Sequence, residues 1–502
     1  MKKTWLFSIA LLAWLAQGFP ALADSRVDAM SSDPRITDDL DIIWAYPNKI
    51  LEYKDQIDFR LNSSGGYGNF GNGVGEWGGF SKDLSEFGLS GVLAVYLNRP
   101  FVPGTGVYPT EYWIPTGGTG FWQATDNNLY QAPDRPVSGV AVINSGSQAV
   151  TLGPLTPNNK IDLFWADSFA GFGDLGLRLS YGDNQPNSDS NSVTSTADNS
   201  TGASNADTSQ AWSVELGAGF SSAFFNKINF HAGFSSGSFS DKQIVSNSGI
   251  TTVNNSSTSN GITTLEAGTL LKHNFNANDD LHVFGDWFSS QFAGTDTLQE
   301  SSDGDFTTPG ATNYQASNKY TLMVATLGFS GNHKFDGGKS LITSGFMANY
   351  WDSKQTASEA DQPSTVSGSS NYSAENDITI LSLNWNLGVE AQVADWLTLR
   401  AGLEKFIYDR TTTQLTTSNP SNPTTTVTTT GDASNPFGGV SFSTGFGVNI
   451  EKWNLNVVAS AGSLEQTLVN LQPGNGLLFD DKQGTGNGPI VTLIEADLTH
   501  PL

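Results

Sequence analysis

The chain alternates on two scales, and together they leave few folds open. On the small scale, apolar and small polar residues alternate with a period of two. In residues 440–450, Val440, Phe442, Phe446, Val448 and Ile450 alternate with Ser441, Ser443, Gly445, Gly447 and Asn449. In residues 453–460, Trp453, Leu455, Val457 and Ala459 alternate with Asn454, Asn456 and Ser460. That period puts one set on each face of a strand. Only Glu451 and Lys452 separate the two arms, which makes a tight hairpin. On the larger scale, short and long connections take turns. A Thr-rich tract, 411–430, precedes this hairpin and a Gly-rich stretch follows it.

The unit recurs along the chain. Alternating segments fall at 50–61, 75–82, 87–97, 160–169, 175–182, 210–220, 227–235 and 262–273. They continue at 280–289, 319–331, 341–350, 377–393, 396–406, 440–450, 453–460 and 489–498. That makes sixteen strands, joined by seven short turns and eight long connections in strict alternation. An even count places both ends of the chain on the short-turn side. In lipid every backbone N–H and C=O has to be paired inside the protein, so a sheet that crosses a membrane must close on itself. The expected fold is all-β: a closed antiparallel transmembrane β-barrel of about 16 strands, with 14 or 18 left open. Long loops lie outside the cell and short turns in the periplasm, with the apolar face on lipid and the small polar face on a lumen. Segments 319–331 and 377–393 exceed the roughly 10 residues that cross the hydrocarbon, so they project beyond it. Aromatics mark both boundaries. Trp396 and Trp453 follow short turns, and Tyr350, Trp351, Phe406 and Tyr408 stand where strands meet long loops. The competing architecture is a secreted sandwich or solenoid, which would carry connections of mixed length at both ends.

The N-terminus reads differently. Lys2 and Lys3 precede an apolar run at 5–16, and Ala21-Leu22-Ala23 fits a cleavage site after Ala23. Residues 1–23 are therefore expected to be a secretory signal peptide. Residues 24–49 do not alternate; they carry Asp33-Pro34, Asp38-Asp39 and Pro47 and form an N-terminal periplasmic or plug segment. The barrel takes 50–502 and the location is the cell outer membrane. The chain has no cysteine, which removes disulfides, thiolate metal sites and cysteine nucleophiles. With 24 basic against 49 acidic residues the net charge is −25, which disfavours nucleic acid as a partner.

Over almost its whole mature length the chain resembles bacterial outer-membrane β-barrel proteins. The stretch Asp38-Asp39-Leu40-Asp41-Ile42-Ile43-Trp44-Ala45-Tyr46-Pro47 resembles the segment before the first strand in long-chain fatty-acid transporter-like barrels. That resemblance implies about fourteen strands, passage of hydrophobic molecules and an N-terminal plug. The ending His500-Pro501-Leu502 departs from the terminal aromatic that many outer-membrane barrels carry.

Strand parity nominates the lumen lining: Glu52, Lys54, Asp58, Arg60, Arg178, Glu215, His231, Glu266, Glu390, Arg400, Glu404, Glu495 and Asp497. With eight acids against four bases, such a lumen favours cations. The connection 98–159 is long and aromatic, and Tyr112, Trp113, Phe121 and Trp122 are candidates for a constriction. These features imply an outer-membrane, porin-like channel for passive passage of small polar solutes or ions, with mild cation preference. The alternatives are a transporter of hydrophobic compounds and a structural or interaction barrel. No enzyme is expected: the five histidines His231, His273, His282, His333 and His500 show no catalytic spacing. Neither the Asp38-Asp39-Asp41 nor the Asp480-Asp481 point has the spacing of a calcium loop, and no phosphate loop leads from strand to helix, so no metal or cofactor is expected. The expected partners are outer-membrane lipid and small solutes, with a homo-oligomer left open.

Overall fold

The computed structural model describes residues 25–37, 39–61, 77–97, 159–184, 200–247, 252–301, 312–361, 372–419, 422–433, 440–450, 452–461 and 491–501. The strands in chain order are β1 (Gln56–Leu61), β2 (Trp77–Asp83), β3 (Val92–Leu97), β4 (Asn159–Phe169), β5 (Gly173–Asn184) and β6 (Ser200–Phe220). They continue with β7 (Lys227–Asn247), β8 (Thr252–Asn274), β9 (Asp279–Ser301), β10 (Thr312–Phe335), β11 (Ser340–Asp361) and β12 (Tyr372–Ala394). The last are β13 (Leu397–Asn419), β14 (Asn422–Ala433), β15 (Val440–Ile450), β16 (Trp453–Ala461) and β17 (Val491–Pro501).

Apart from β14 and β15, each strand pairs antiparallel with its sequence neighbour, and the sheet closes where β1 meets β17, from Gln56 opposite Pro501 to Leu61 opposite Ala496. Strand β13 pairs with β15 along Leu397 to Lys405 and with β14 along Asp409 to Asn419. Strands β14 and β15 therefore share one position in the wall, and the barrel has sixteen wall strands, as the alternation predicts.

The strands are longer than their alternation. β6 to β13 run 21 to 24 residues, far past the alternating cores. Strand β14 lies wholly inside a tract expected to be loop. At about 3.3 Å per residue and a tilt near 40°, a strand of that length rises roughly 55 Å, against a hydrocarbon thickness of about 30 Å. In that upper half the sequence shows no alternation. Thr, frequent in these tracts, suits an extended backbone regardless.

One segment expected to be strand is a turn, and one expected break between strands is confirmed as a turn. Pro47–Glu52 forms a 3-10 turn, and Asp55 with φ of 56° breaks the chain before β1. Proline at the first position favours the turn. Leu84–Phe87 is likewise a 3-10 turn, capped by the Asp83 carboxylate, and it ends at Gly88 with φ of 73°.

Burial separates the two faces cleanly. On β4, Lys160, Asp162, Phe164 and Ala166 are buried while Ile161, Leu163 and Trp165 are exposed. On β6, Ser213 and Glu215 are buried while Trp212 and Leu216 are exposed. The exposed apolar set is the lipid face. Exposed aromatics mark the short-turn rim at Phe87, Phe172, Phe224, Phe275, Phe335, Trp396 and Trp453. Trp351 departs from its expected girdle place: it faces inward and packs on Phe288, Leu322 and Val324.

The segment before β1 fills the lumen near the short-turn end. It runs through helical turns Ser25–Ala29 and Pro34–Thr37 and 3-10 turns Leu40–Trp44 and Pro47–Glu52. Ile36, Ile42, Ile43, Trp44, Tyr46 and Ile50 form a core with Trp77, Val92, Tyr96, Phe164, Leu270 and Phe284 of the wall. Glycines let its backbone approach. A side chain on Gly176 would run into Pro47 and Asn48, and one on Gly402 into Met30 and Ser31. A Gly402→Leu variant should unseat the first half of this plug, at a cost of about 1–3 kcal/mol. Trypsin should then cut after Arg35, which is buried in the wild type, while the barrel keeps its heat-modifiable electrophoretic mobility. An unchanged digestion pattern would contradict the seating against β13.

Candidate functional site

The site is the plugged lumen, and four arginines organise it. Arg35, in the plug, is clamped by Asp33 through Nε at 2.8 Å and Nη2 at 2.5 Å, and it also pairs with Asp286 on β9. Its guanidinium lies 4.0 Å over the Phe284 ring. Its carbonyl accepts from His282 Nδ1 at 2.7 Å. Asp286 also meets His231 Nε2 on β7 at 3.0 Å and accepts from the Tyr46 hydroxyl at 3.4 Å. One carboxylate thus gathers both halves of the plug and two strands. Burial, the largest influence, pushes the Tyr46 phenol above its usual range, so it stays a donor.

Arg26, at the start of the plug, reaches Glu390 on β12 at 2.9 and 3.1 Å and Asp39 at 3.1 Å. Burial opposes its charge, but the two carboxylates outweigh it and raise its pKa. Arg400 on β13 completes the group, donating to Glu390 at 2.6 Å and to Asn456 at 2.8 Å. Arg178 on β5 is fully buried; it bonds Asp162 at 2.7 Å, Glu215 at 3.0 Å and the Trp44 carbonyl at 3.1 Å. Neutral bonds finish the seat. Ser31 and Ser443 hydroxyls lie 2.7 Å apart, Asn332 donates to the Ile36 carbonyl at 2.9 Å, and Asn48 donates to Asn229 at 3.1 Å.

Above the plug, directly opposed lumen residues make a rising row. Arg178, Glu215, Gly233, Glu266, Phe288, Val324 and Trp351 are cross-strand partners in that order from β5 to β11. Arg178 is the sixth residue of β5 from the short-turn end, whereas Val324 and Trp351 are each the twelfth of their strands. The row starts charged beside Trp44 and ends apolar well above it. A second row lies next to it: Ser180, Ser213, Ser235, Thr264, Ser290 and Leu322.

The structure places the expected lining residues unevenly. Glu52 and Lys54 are corrections: they precede β1, and neither lines the wall. Glu52 ends the plug, pairing with Lys49 and Lys227, and Lys54 pairs with Asp83 at 2.7 Å. The chain turns at 47–55 instead of continuing the strand, so strand parity there has no meaning. Asp58 faces inward and accepts from Tyr96 at 3.0 Å. Arg178 and Glu215 come together, as do Glu390 and Arg400, while His231 joins Asp286. Glu266 is buried in the row, and Glu404 accepts from Asn384 at 3.2 Å. Arg60 stands opposite Asp497, and Glu495 opposite Val458, by backbone register; their side chains lie outside the described ones. Tyr112, Trp113, Phe121, Trp122 and Ala23 lie outside the described residues. Among the described residues no group of three or more His, Asp or Glu is placed to hold a metal.

Parity alone would have found Asp162 and Asp286, which share the inward face with residues already chosen. Nothing periodic pointed to Arg26, Arg35 or Trp44, because the plug has no period.

A closed antiparallel barrel with an apolar exterior, a rim of aromatics and a polar, filled interior meets the conditions for life in lipid. The protein folds as a closed β-barrel of the membrane-spanning kind. No protein-family model matches the chain. No curated protein matches it either. Among solved structures, the toluene transporter TodX of Pseudomonas putida is similar at 13% identity, with 68% of this chain and 80% of that one covered and a TM-score of 0.30. The ferric yersiniabactin uptake receptor FyuA of Yersinia pestis is similar at 9% identity, with 88% and 78% covered and a TM-score of 0.32. The outer membrane protease OmpT of Escherichia coli is similar at 9% identity, with 65% and 87% covered and a TM-score of 0.21. Likeness at these scores carries no argument about activity.

Asp286→Ala should strand the Arg35 charge beside Asp33 alone and destabilise the seated plug by about 3–5 kcal/mol. Amides of residues 25–50 should then exchange hydrogen far faster than in the wild type, while those of the strand cores do not. Equal protection in both proteins would remove Asp286 from its place as the link between plug and wall.

Proposed function

We propose that the protein is a plug-gated outer-membrane transporter for small compounds that carry apolar surface. The observation that carries this reading is the placement of Ser25–Glu52 inside the barrel, beneath an inward-facing apolar patch of Phe288, Leu322, Val324 and Trp351. A pore that passes water and ions freely has little use for such a patch, since apolar surface favours an apolar occupant. The lumen charges also speak for structure more than selectivity. Arg178, Arg400, Arg26 and Arg35 each hold one or two of the acids that would otherwise ring a cation path. The N-terminal resemblance to fatty-acid transporter-like barrels points the same way.

The second reading, a passive polar channel, requires the plug to leave its seat. Proteoliposomes separate the two. The wild-type protein should admit an apolar fluorescent probe faster than empty liposomes do, yet give little swelling in arabinose and no steady conductance in planar bilayers. A variant lacking residues 25–49 should conduct steadily. Steady cation-selective current through the wild-type protein, with no probe uptake, would establish the passive channel instead.

A further inference from the structure

The two halves of the plug differ in how their charges are paired. Residues 26–39 form a loop closed on itself. The Arg26 guanidinium donates to the Thr37 carbonyl and to Asp39, each at 3.1 Å. Asp33 grips the Arg35 guanidinium at two points and accepts from the Arg35 amide at 2.9 Å. Thr37 Oγ1 donates to the Asp33 carbonyl at 3.4 Å. The Asp39 carboxylate also takes the Leu40 amide at 2.5 Å, so one end of the loop is fixed to the turn that begins the second half. Two ion pairs fasten this loop to the wall, Arg26–Glu390 and Arg35–Asp286. Every member of those pairs has a second partner on its own side. Arg26 has Asp39, and Arg35 has Asp33. Glu390 has Arg400 at 2.6 Å, and Asp286 has His231 at 3.0 Å. Breaking a buried pair is costly chiefly because it strands a charge, and here each side retains a counter-charge or hydrogen-bond partner. The loop's bonds to Ser443 and Asn332 are neutral, and water can replace them.

We propose that residues 26–39 are a detachable cap that leaves its seat as one body, pivoting at Asp39, while residues 40–52 stay in place. The cap takes its own carboxylates with it, and the wall keeps partners for the groups it loses. The same two pairs return it to one register when it closes. The second half has no such exchange. Its seat is the apolar cluster of Ile42, Ile43, Trp44, Tyr46 and Ile50 with the wall, and those contacts are lost outright on exposure. The cap buries Val27, Met30 and Ile36 and no aromatic side chain. The assignment rests on the plug-gated reading above and names the part that moves.

Hydrogen exchange of the full barrel in lipid nanodiscs, read by mass spectrometry, tests this with two substitutions of different expected effect. Glu390→Gln removes only the wall's partner. Amides of residues 26–37 should then exchange together about tenfold or more faster, while those of 42–50 keep their protection. Asp39→Asn removes the partner that travels with the cap, and asparagine still caps the turn that follows. Exchange in the cap should stay unchanged or slow. Far-ultraviolet circular dichroism and heat modifiability confirm that each variant is folded. Equal acceleration by both substitutions, or residues 42–50 opening in step with 26–37, overturns the assignment. The chain has no cysteine, and the Ser31 and Ser443 hydroxyls lie 2.7 Å apart, so Ser31→Cys with Ser443→Cys ties the cap to β15. The oxidised tether should abolish the fast exchange of Glu390→Gln and stop uptake of the apolar probe into proteoliposomes, and reduction should restore both. Uptake through the oxidised barrel at the wild-type rate overturns the cap as the moving part. The expected exchange with no uptake in any state would retain the cap and defeat the transport reading.

Discussion

Backbone hydrogen bonding in a medium without water governs everything else in this molecule. A strand edge in lipid has no partner, so the sheet closes, and β1 must find β17. Antiparallel closure over sixteen wall strands returns both described ends of the wall to the short-turn side, with Gln56 opposite Pro501. The residues preceding β1 are then delivered to the mouth of the lumen at that side. The plug's position follows from the parity of the strand count as much as from its own sequence.

A barrel with lipid outside and charge inside has little apolar core of its own, here the small cluster of Phe288, Leu322, Val324 and Trp351. The plug supplies a larger one. Trp44 meets Trp77, Tyr96 and Phe164 edge-on at 5.1 to 5.6 Å, with Arg178 4.9 Å over its ring. Buried ion pairs add little net stability once desolvation is counted, and removing one partner is costly. The Arg35 cluster thus acts on register, since it seats the plug where Arg35 meets Asp286, while Arg178, already held by the wall residues Asp162 and Glu215, adds a bond to the Trp44 carbonyl.

How much of this was legible depended on whether a residue's surroundings imposed a period. Lipid outside and protein inside impose one on the lower strands, and all sixteen wall positions could be read from it. The Thr and Ser tracts of β6 to β14 pair as strands with no alternation to announce them. Parity put Asp58, Arg178, Glu215, His231, Glu266 and Arg400 on one face of their strands, and that face is the buried one. Their partners were not legible, since Arg178 and Trp44 are joined only through the folded plug. Glu52 and Lys54 show the converse error. Leu51 and Tyr53 imitate a strand by chance, and the turn that begins at Pro47 overrides it.

The two halves of the plug are held by different forces, and the difference bears on gating. Residues of the first half bury Val27, Met30 and Ile36 but otherwise sit on small and polar wall groups, Gly388, Gly402, Ser443 and Asn332, and are fastened by the Arg26–Glu390 and Arg35–Asp286 pairs. Water or a competing charge replaces such bonds at modest net cost, as hydrogen bonds are exchanged and not simply lost. The second half buries Ile42, Ile43, Trp44, Tyr46 and Ile50, each of which forfeits roughly 1.5–3 kcal/mol on exposure. It is also tied directly to β1. A path opened by the first half alone leaves the aromatic core intact. It also leaves Arg178 and Glu215 satisfied, so the charged end of the rising row keeps its shape while the lumen below it opens.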